Sequence, residues 1–120
     1  MNISNELSID HDAITALKEA TEEMFQEIIE TYLEDTLNRL SKLQNAIRTN
    51  ALDSAVEHSH SIKGSSGNIG ACKLAALSAE IERLSKDNQA ENLAEYTEFA
   101  VNEFSVVETE LRKILAPCET

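Results

Sequence analysis

The sequence predicts an all-α fold: an antiparallel up-down four-helix bundle with a short extra helix at its N-terminal end. Two observations predict it. Apolar residues recur at the helical period through four long segments joined by short polar connections. Apolar residues also make up 42% of the 120 residues while aromatics make up 4%, with no Trp, three Gly and one Pro, so the core must come from Leu, Ile, Ala and Val. A chain of this length suits one domain over residues 1–120, with a single core drawn from about residues 10–115.

The leader helix comes first. Across residues 10–19, Ala13, Ile14 and Leu17 recur at helical spacing, and Asp10 or Asp12 is placed to cap the start. The second helix is predicted over residues 21–49, because Phe25, Ile29, Leu33, Thr36, Leu40, Leu43 and Ile47 fall in one stripe at about 100° per residue. Thr49 and Asn50 break it, Asn50 either ending this helix or capping the next. The third helix turns Leu52, Ala55, Val56, Ser59, Ile62 and Ser66 inward, small residues that allow close packing. Gly70 ends it, since Gly takes a left-handed conformation without steric penalty. Leu74, Leu77, Ile81 and Leu84 supply the buried stripe of the fourth helix, which the polar run KDNQAEN closes. The fifth runs over residues 91–115 with Leu93, Tyr96, Ala100, Phe104, Val107, Leu111 and Ile114 on one side, and Pro117 falls in a terminal tail.

The formal net charge of −12 argues against nucleic acid or an anionic membrane as partner, because the field of the whole molecule repels both. A partner with a basic or apolar face fits better. The N-terminal stretch carries acidic residues where a secretory signal would be basic, and no continuous apolar run approaches about 18 residues, so a soluble cytoplasmic protein is expected. Cys72 and Cys118 form no CxxC or zinc pattern and read as reduced thiols.

Residues 60–71, HSIKGSSGNIGA, hold a His, a Lys and all three glycines. Each Gly inside a helix costs about 0.5–1 kcal/mol relative to Ala, which asks for a reason. At about 100° per residue, His60, Lys63, Gly64 and Gly67 share one flank, partly out of the core. His60 and Lys63 are surface neighbours, and Gly64 lies one turn beyond His60. A phosphoryl group on the imidazole would lie beside the ammonium. Gly64 and Gly67 would keep the surface low, letting another protein's active site approach the ring nitrogen. The competing reading is structural: Gly64 permits tight helix packing, and Gly67 with Gly70 is a frayed helix end. For Gly70 alone the helix-end reading is preferred.

The segment resembles the motif of histidine phosphotransfer domains, in which His is followed by Lys at the third position, Gly at the fourth and Gly at the tenth. His60, Lys63, Gly64 and Gly70 match each position, in the third of five predicted helices. The resemblance covers about residues 10–115 and is to a stand-alone module. It implies a phosphorelay intermediate of two-component signalling: His60 accepts a phosphoryl group from the Asp of one receiver domain and passes it to the Asp of another, while Lys63 steadies the charge. A phosphocarrier without kinase activity of its own is implied, a monomer that binds no cofactor and takes Mg2+ from the partner receiver. Its partners would be receiver domains of hybrid sensor kinases and response regulators. The chemistry is consistent, since neutral imidazole, with a reference pKa of about 6.5, is a competent nucleophile and in-line transfer needs mainly positioning and charge neutralisation. The sequence has no Walker-type loop, no GxGxxG and no clustered acidic site for nucleotide and metal.

The family implies docking around the active histidine and the preceding helix, which makes Met24, Ile28 and Tyr32 candidates for partner binding. Met24 and Ile28 fall roughly 120–140° from the centre of the buried stripe, with Tyr32 at its edge. They form either an exposed apolar patch or a surface covered by the leader helix. His58, two residues before His60, points to nearly the opposite side of the helix and reads as a surface or packing residue; His11 has no partner at readable spacing. Ser61, Ser65 and Ser66 lack a nucleophile elbow, and no Glu-x-x-His pair repeats on two helices as a di-metal site would require. The alternative function is a non-catalytic helical adaptor or scaffold that binds signalling proteins.

Overall fold

The computed structural model describes residues 3–116; Pro117 and Cys118 lie outside the described residues. Five α-helices run through the described residues: α1 (His11–Thr21), α2 (Phe25–Arg48), α3 (Leu52–Ile69), α4 (Cys72–Lys86) and α5 (Leu93–Leu115). Single 3-10 turns stand at Ile3–Asn5, Glu22–Met24 and Ala90–Asn92. The helices α2 to α5 form the four-helix bundle. Each packs on the next, α2 closes the ring against α5, and the contact between α3 and α4 is the most extensive. No helix among the described residues is long and apolar enough to cross a membrane.

The predicted stripes meet in one core. Ile29, Leu33, Leu40 and Leu43 of α2, Ile62 of α3, Leu74, Leu77 and Ile81 of α4, and Leu93, Phe104, Val107 and Leu111 of α5 are all buried. Each such side chain contributes about 1.5–3 kcal/mol on leaving water. Ile47, Tyr96 and Ile114 sit at its margin. Small residues bring α3 close to its neighbours: Ala55, Ser59 and Ser66 are fully buried. The Ser59 hydroxyl donates to the Ala55 carbonyl at 2.6 Å, and Ser66 meets the Tyr32 hydroxyl of α2 at 2.7 Å, so neither polar group is buried unpaired.

Three helices end in the same way. The residue after each last turn is left-handed, Asn50 at φ 58°, Gly70 at φ 90° and Asn88 at φ 55°. The following N–H reaches back to the last free carbonyls, Ala51 to Ala46 at 2.8 Å, Ala71 to Ser66 at 2.8 Å and Gln89 to Leu84 at 2.9 Å. Asn50 therefore ends α2 rather than capping α3. The second helix starts later than residue 21: Glu22 takes φ 49°, residues 22–24 make a 3-10 turn, and α2 begins at Phe25, the first residue of its buried stripe. Glu22 and Glu23 have nothing to bury and Met24 stays half exposed, so the chain turns there.

Asp10 caps α1, its carboxylate accepting from the N–H groups of Asp12 at 3.0 Å and Ala13 at 3.3 Å. The Asp10 N–H donates to the Gly70 carbonyl at 2.8 Å, and the Lys73 N–H donates to the Leu7 carbonyl at 2.8 Å, which fastens the leader to the turn between α3 and α4. A Cβ at Gly70 would stand 3.0 Å from the Ala13 Cβ and 3.2 Å from the Asp10 carbonyl oxygen. Gly70→Ala thus meets both a left-handed backbone and a crowded neighbour, and is expected to cost roughly 1–3 kcal/mol. Urea denaturation checks it; an unchanged midpoint would refute the account.

Candidate functional site

The inward residues of α3 are Ala55, Ser59, Ile62, Ser66 and Ile69, which leaves His60 and Lys63 on the flank that faces α4. The His60 side chain is 67% exposed and its Nδ1 lies 3.1 Å from Oε2 of Glu82, whose own side chain is 8% exposed. Lys63 Nζ is 2.9 Å from Glu82 Oε1, and Lys86 Nζ is 3.1 Å from Oε2. One buried carboxylate therefore holds the imidazole and two ammonium groups together.

Burial raises the pKa of Glu82, but hydrogen bonds from Lys63, Lys86 and His60 outweigh it and bring the carboxyl down to about 2. The group is an anion and can only accept, so the proton shared with His60 sits on Nδ1. The nucleophilic lone pair is then on Nε2, which has no hydrogen bond to protein among the described residues. Around the ring the surface is low. A Cβ at Gly64 or Gly67 would meet nothing within 4 Å. Neither glycine is explained by tight packing, and Gly67 lies inside α3 rather than at a frayed end.

The docking candidates separate. Met24 is half exposed, and Ile28 is partly buried beside Ser65 and Ile69 along the groove between α2 and α3. Tyr32 does not belong to an exposed patch: only 6% of it reaches solvent, because Ser66 leaves room for the ring and takes its hydroxyl as a partner. Burial raises its pKa. His58 lies on another face, its Nδ1 3.0 Å from Arg39 Nη1, and burial together with Arg39 lowers its pKa. Ser65 donates within its own helix to the Ser61 carbonyl at 3.1 Å. Cys72 is a partly buried free thiol. No group of three or more His, Cys, Asp or Glu among the described residues is placed to hold a metal.

Glu82 and Lys86 escaped the sequence reading. Glu82 lies about a third of a turn round α4 from the leucine stripe, yet Ser78 and Ser85, one helical turn either side of it, are both buried. A Glu bracketed by inward serines, with Lys four residues on, was the available signal.

Residues 27–116 match the family model described as the Hpt domain. Over 82 residues, 68% of this chain, the sequence is 33% identical to the phosphorelay intermediate protein rdeA of Dictyostelium discoideum, and the chain spans about a third (32%) of that relative's length. The crystal structure of histidine-containing phosphotransfer protein B (HptB) from Pseudomonas aeruginosa PAO1 has the same fold, with a TM-score of 0.86 at 24% identity over 88% of this chain and 92% of that one. The helical bundle and the family match define a histidine phosphotransfer domain. The chain belongs to the Hpt domain family.

Glu82 also makes stability depend on pH. Its folded pKa of about 2 lies below the ordinary 4.5, so its contribution is complete above pH 4.5 and is lost as pH falls through 2. Because Lys86 and His60 stand largely in water and Lys63 partly so, we expect only about 1–2 kcal/mol from it. Urea denaturation at stepped pH should show wild type more stable than Glu82→Gln at pH 7 and the gap closing between pH 4.5 and 2. A gap that does not change with pH would refute it.

Proposed function

We propose that His60 is the phosphoryl acceptor and donor of this domain, and that it exchanges the group with the aspartates of receiver domains. The observation that carries this reading is the exposed imidazole tied through Nδ1 to a buried, ionised carboxylate. The Nε2 lone pair attacks phosphorus of a receiver's aspartyl phosphate, the P–N bond forms as the acyl P–O bond breaks, and the aspartate leaves as a carboxylate. The ring gains positive charge as this happens, and Glu82 offsets it through the Nδ1–H. Keeping that proton on the ring also keeps the histidine a good leaving group for the reverse step. Lys63, and Lys86 beside it, neutralise the phosphoryl oxygens. Magnesium comes with the receiver.

The receiver approaches over Gly64 and Gly67, with Met24 and Ile28 as apolar contacts on the preceding helix. We take the chain to act as a single domain and a monomer in the cytoplasm. That α3 carries Gly rather than Ala at positions 64 and 67 supports the approach argument, since Ala at either site would fit and would favour the helix by about 0.5–1 kcal/mol.

The test is incubation with a phosphorylated receiver and magnesium. Wild type should acquire acid-labile, alkali-stable label, and His60→Gln should acquire none. Lys63→Ala should still fold, somewhat less stably because buried Glu82 loses one of its three partners, and transfer about 10–100-fold more slowly, the loss of one charge-assisted hydrogen bond to the phosphoryl group. Gly64→Ala should be slightly more stable than wild type, and Gly64→Leu should fold while blocking transfer. Failure of several receivers to label the wild-type chain would favour the adaptor instead.

A further inference from the structure

Half a turn round α4 from Glu82, at about 100° per residue, Lys73 and Leu77 face a groove of about 540 Å³. Its opposite wall is α5, with Tyr96, Phe99 and Val106, and Ile3 and Ser4 of the N-terminal turn form a third. Phe99 and Val106 are 47% and 45% exposed and make an apolar lip on α5. The chain has only two Tyr and three Phe, yet Tyr96 and Phe99 stand together here, edge to face with ring centroids 5.8 Å apart.

The charges around this lip do not balance. Every basic residue of α4 and α5 already holds a carboxylate: Lys73 lies 4.0 Å from Glu103 across the floor of the groove, Arg83 pairs with Glu80 and Asp87, Lys86 with Glu82, Arg112 with Glu108 and Lys113 with Glu110. On the solvent side of the lip, Glu91, Glu95 and Glu98 follow one another at helical spacing, all exposed, and no cation among the described residues pairs with any of them. The net charge of −12 deepens the negative field at that edge.

We propose that this lip and the groove behind it dock a basic amphipathic helix of another protein. Phe99 and Val106 are seven residues apart, about 10.5 Å along α5, which is also the rise from i to i+7 of a facing helix. Apolar residues at i, i+3, i+4 and i+7 of that helix cover both side chains and rest on Tyr96, while lysines or arginines on its flank meet Glu95 and Glu98. A second copy of this chain is a poor occupant, because it brings the same acids and the same net charge of −12 against them. His60 and Glu82 lie round the other side of α4, so a partner seated here leaves the imidazole uncovered.

The probe is an acetylated, amidated peptide of about fourteen residues with leucines at i, i+3, i+4 and i+7 and lysines and alanines elsewhere, titrated into the full chain at pH 7 and followed by amide chemical shifts. Saturable shifts should centre on Leu77, Tyr96, Phe99 and Val106, leave His60 unmoved, and need more peptide as salt rises. A peptide of the same composition with its leucines scattered round the helix, and one with Glu for every Lys, should each bind at least about tenfold more weakly. Phe99→Ser should weaken the first peptide by about tenfold or more, with Val106→Ser as a second variant in the same direction, and the double variant Glu95→Gln, Glu98→Gln should weaken it several-fold. Leu37→Ser, at an exposed apolar position on α2, should not. Equal binding of the scattered peptide, shifts centred away from the groove, or unchanged affinity in both Phe99→Ser and Val106→Ser would overturn the proposal. So would shifts at these same amides when the chain alone is concentrated, which would assign the face to a second copy.

Discussion

A carboxylate is among the least favourable groups to take out of water, and Glu82 is buried at the seam between α3 and α4. It is tolerable there because three groups converge on its two oxygens, His60 and Lys63 from α3 and Lys86 from its own helix. Removing any one of them leaves a buried charge less well compensated, so their positions are coupled. The same coupling fixes the imidazole. A free histidine on a helix surface chooses between tautomers and rotamers, whereas one whose Nδ1–H is drawn to a buried anion presents Nε2 outward.

That arrangement requires α3 and α4 to lie close and to stay in register. Ala55, Ser59 and Ser66 on α3 and Ser78 and Ser85 on α4 bring the backbones together with little side-chain bulk. The hydroxyls of Ser59 and Ser85 bond to carbonyls one turn back and so bring no unpaired polar group into the seam. The connection between the helices is two residues long, and the left-handed Gly70 within it lets the leader dock by main-chain hydrogen bonds. Both halves of the site thus sit on rigid elements rather than loops, where placement within a fraction of an ångström is easiest to keep.

What could be read in the sequence was what depends on neighbours along the chain. The apolar stripes of α2 to α5 each fall within one helix, and all five helices lay where periodicity put them, to within a few residues at the ends. The flank shared by His60, Lys63 and Gly64 is likewise a matter of i, i+3 and i+4 spacing. Glu82 was not legible, because its role depends on a helix that begins twelve residues after His60, and a Glu four residues before a Lys is ordinarily a surface pair. Tyr32 was misplaced for the same reason: at the edge of the α2 stripe, whether it is buried depends on the side chain opposite, and Ser66 is small enough to admit it. The turn at Glu22 was hidden because residues 21–24 carry no strong breaker.

On the proposed reading, this geometry also explains how little the domain needs of its own. An in-line displacement at phosphorus requires a nucleophile, charge neutralisation and a leaving group, and here one ring serves as nucleophile in one direction and leaving group in the other. Glu82 helps both, since a charge that offsets the imidazolium stabilises the same transition state whichever way it is crossed. A pKa of about 2 means that ordinary changes of pH do not switch it off. Nothing in this constellation favours one receiver over another, so net transfer follows the relative stability of the aspartyl phosphates at the two ends. Selectivity between partners then falls to the surface around the ring, where bare glycine backbone admits a receiver closely and Met24 and Ile28 give it something apolar to bury.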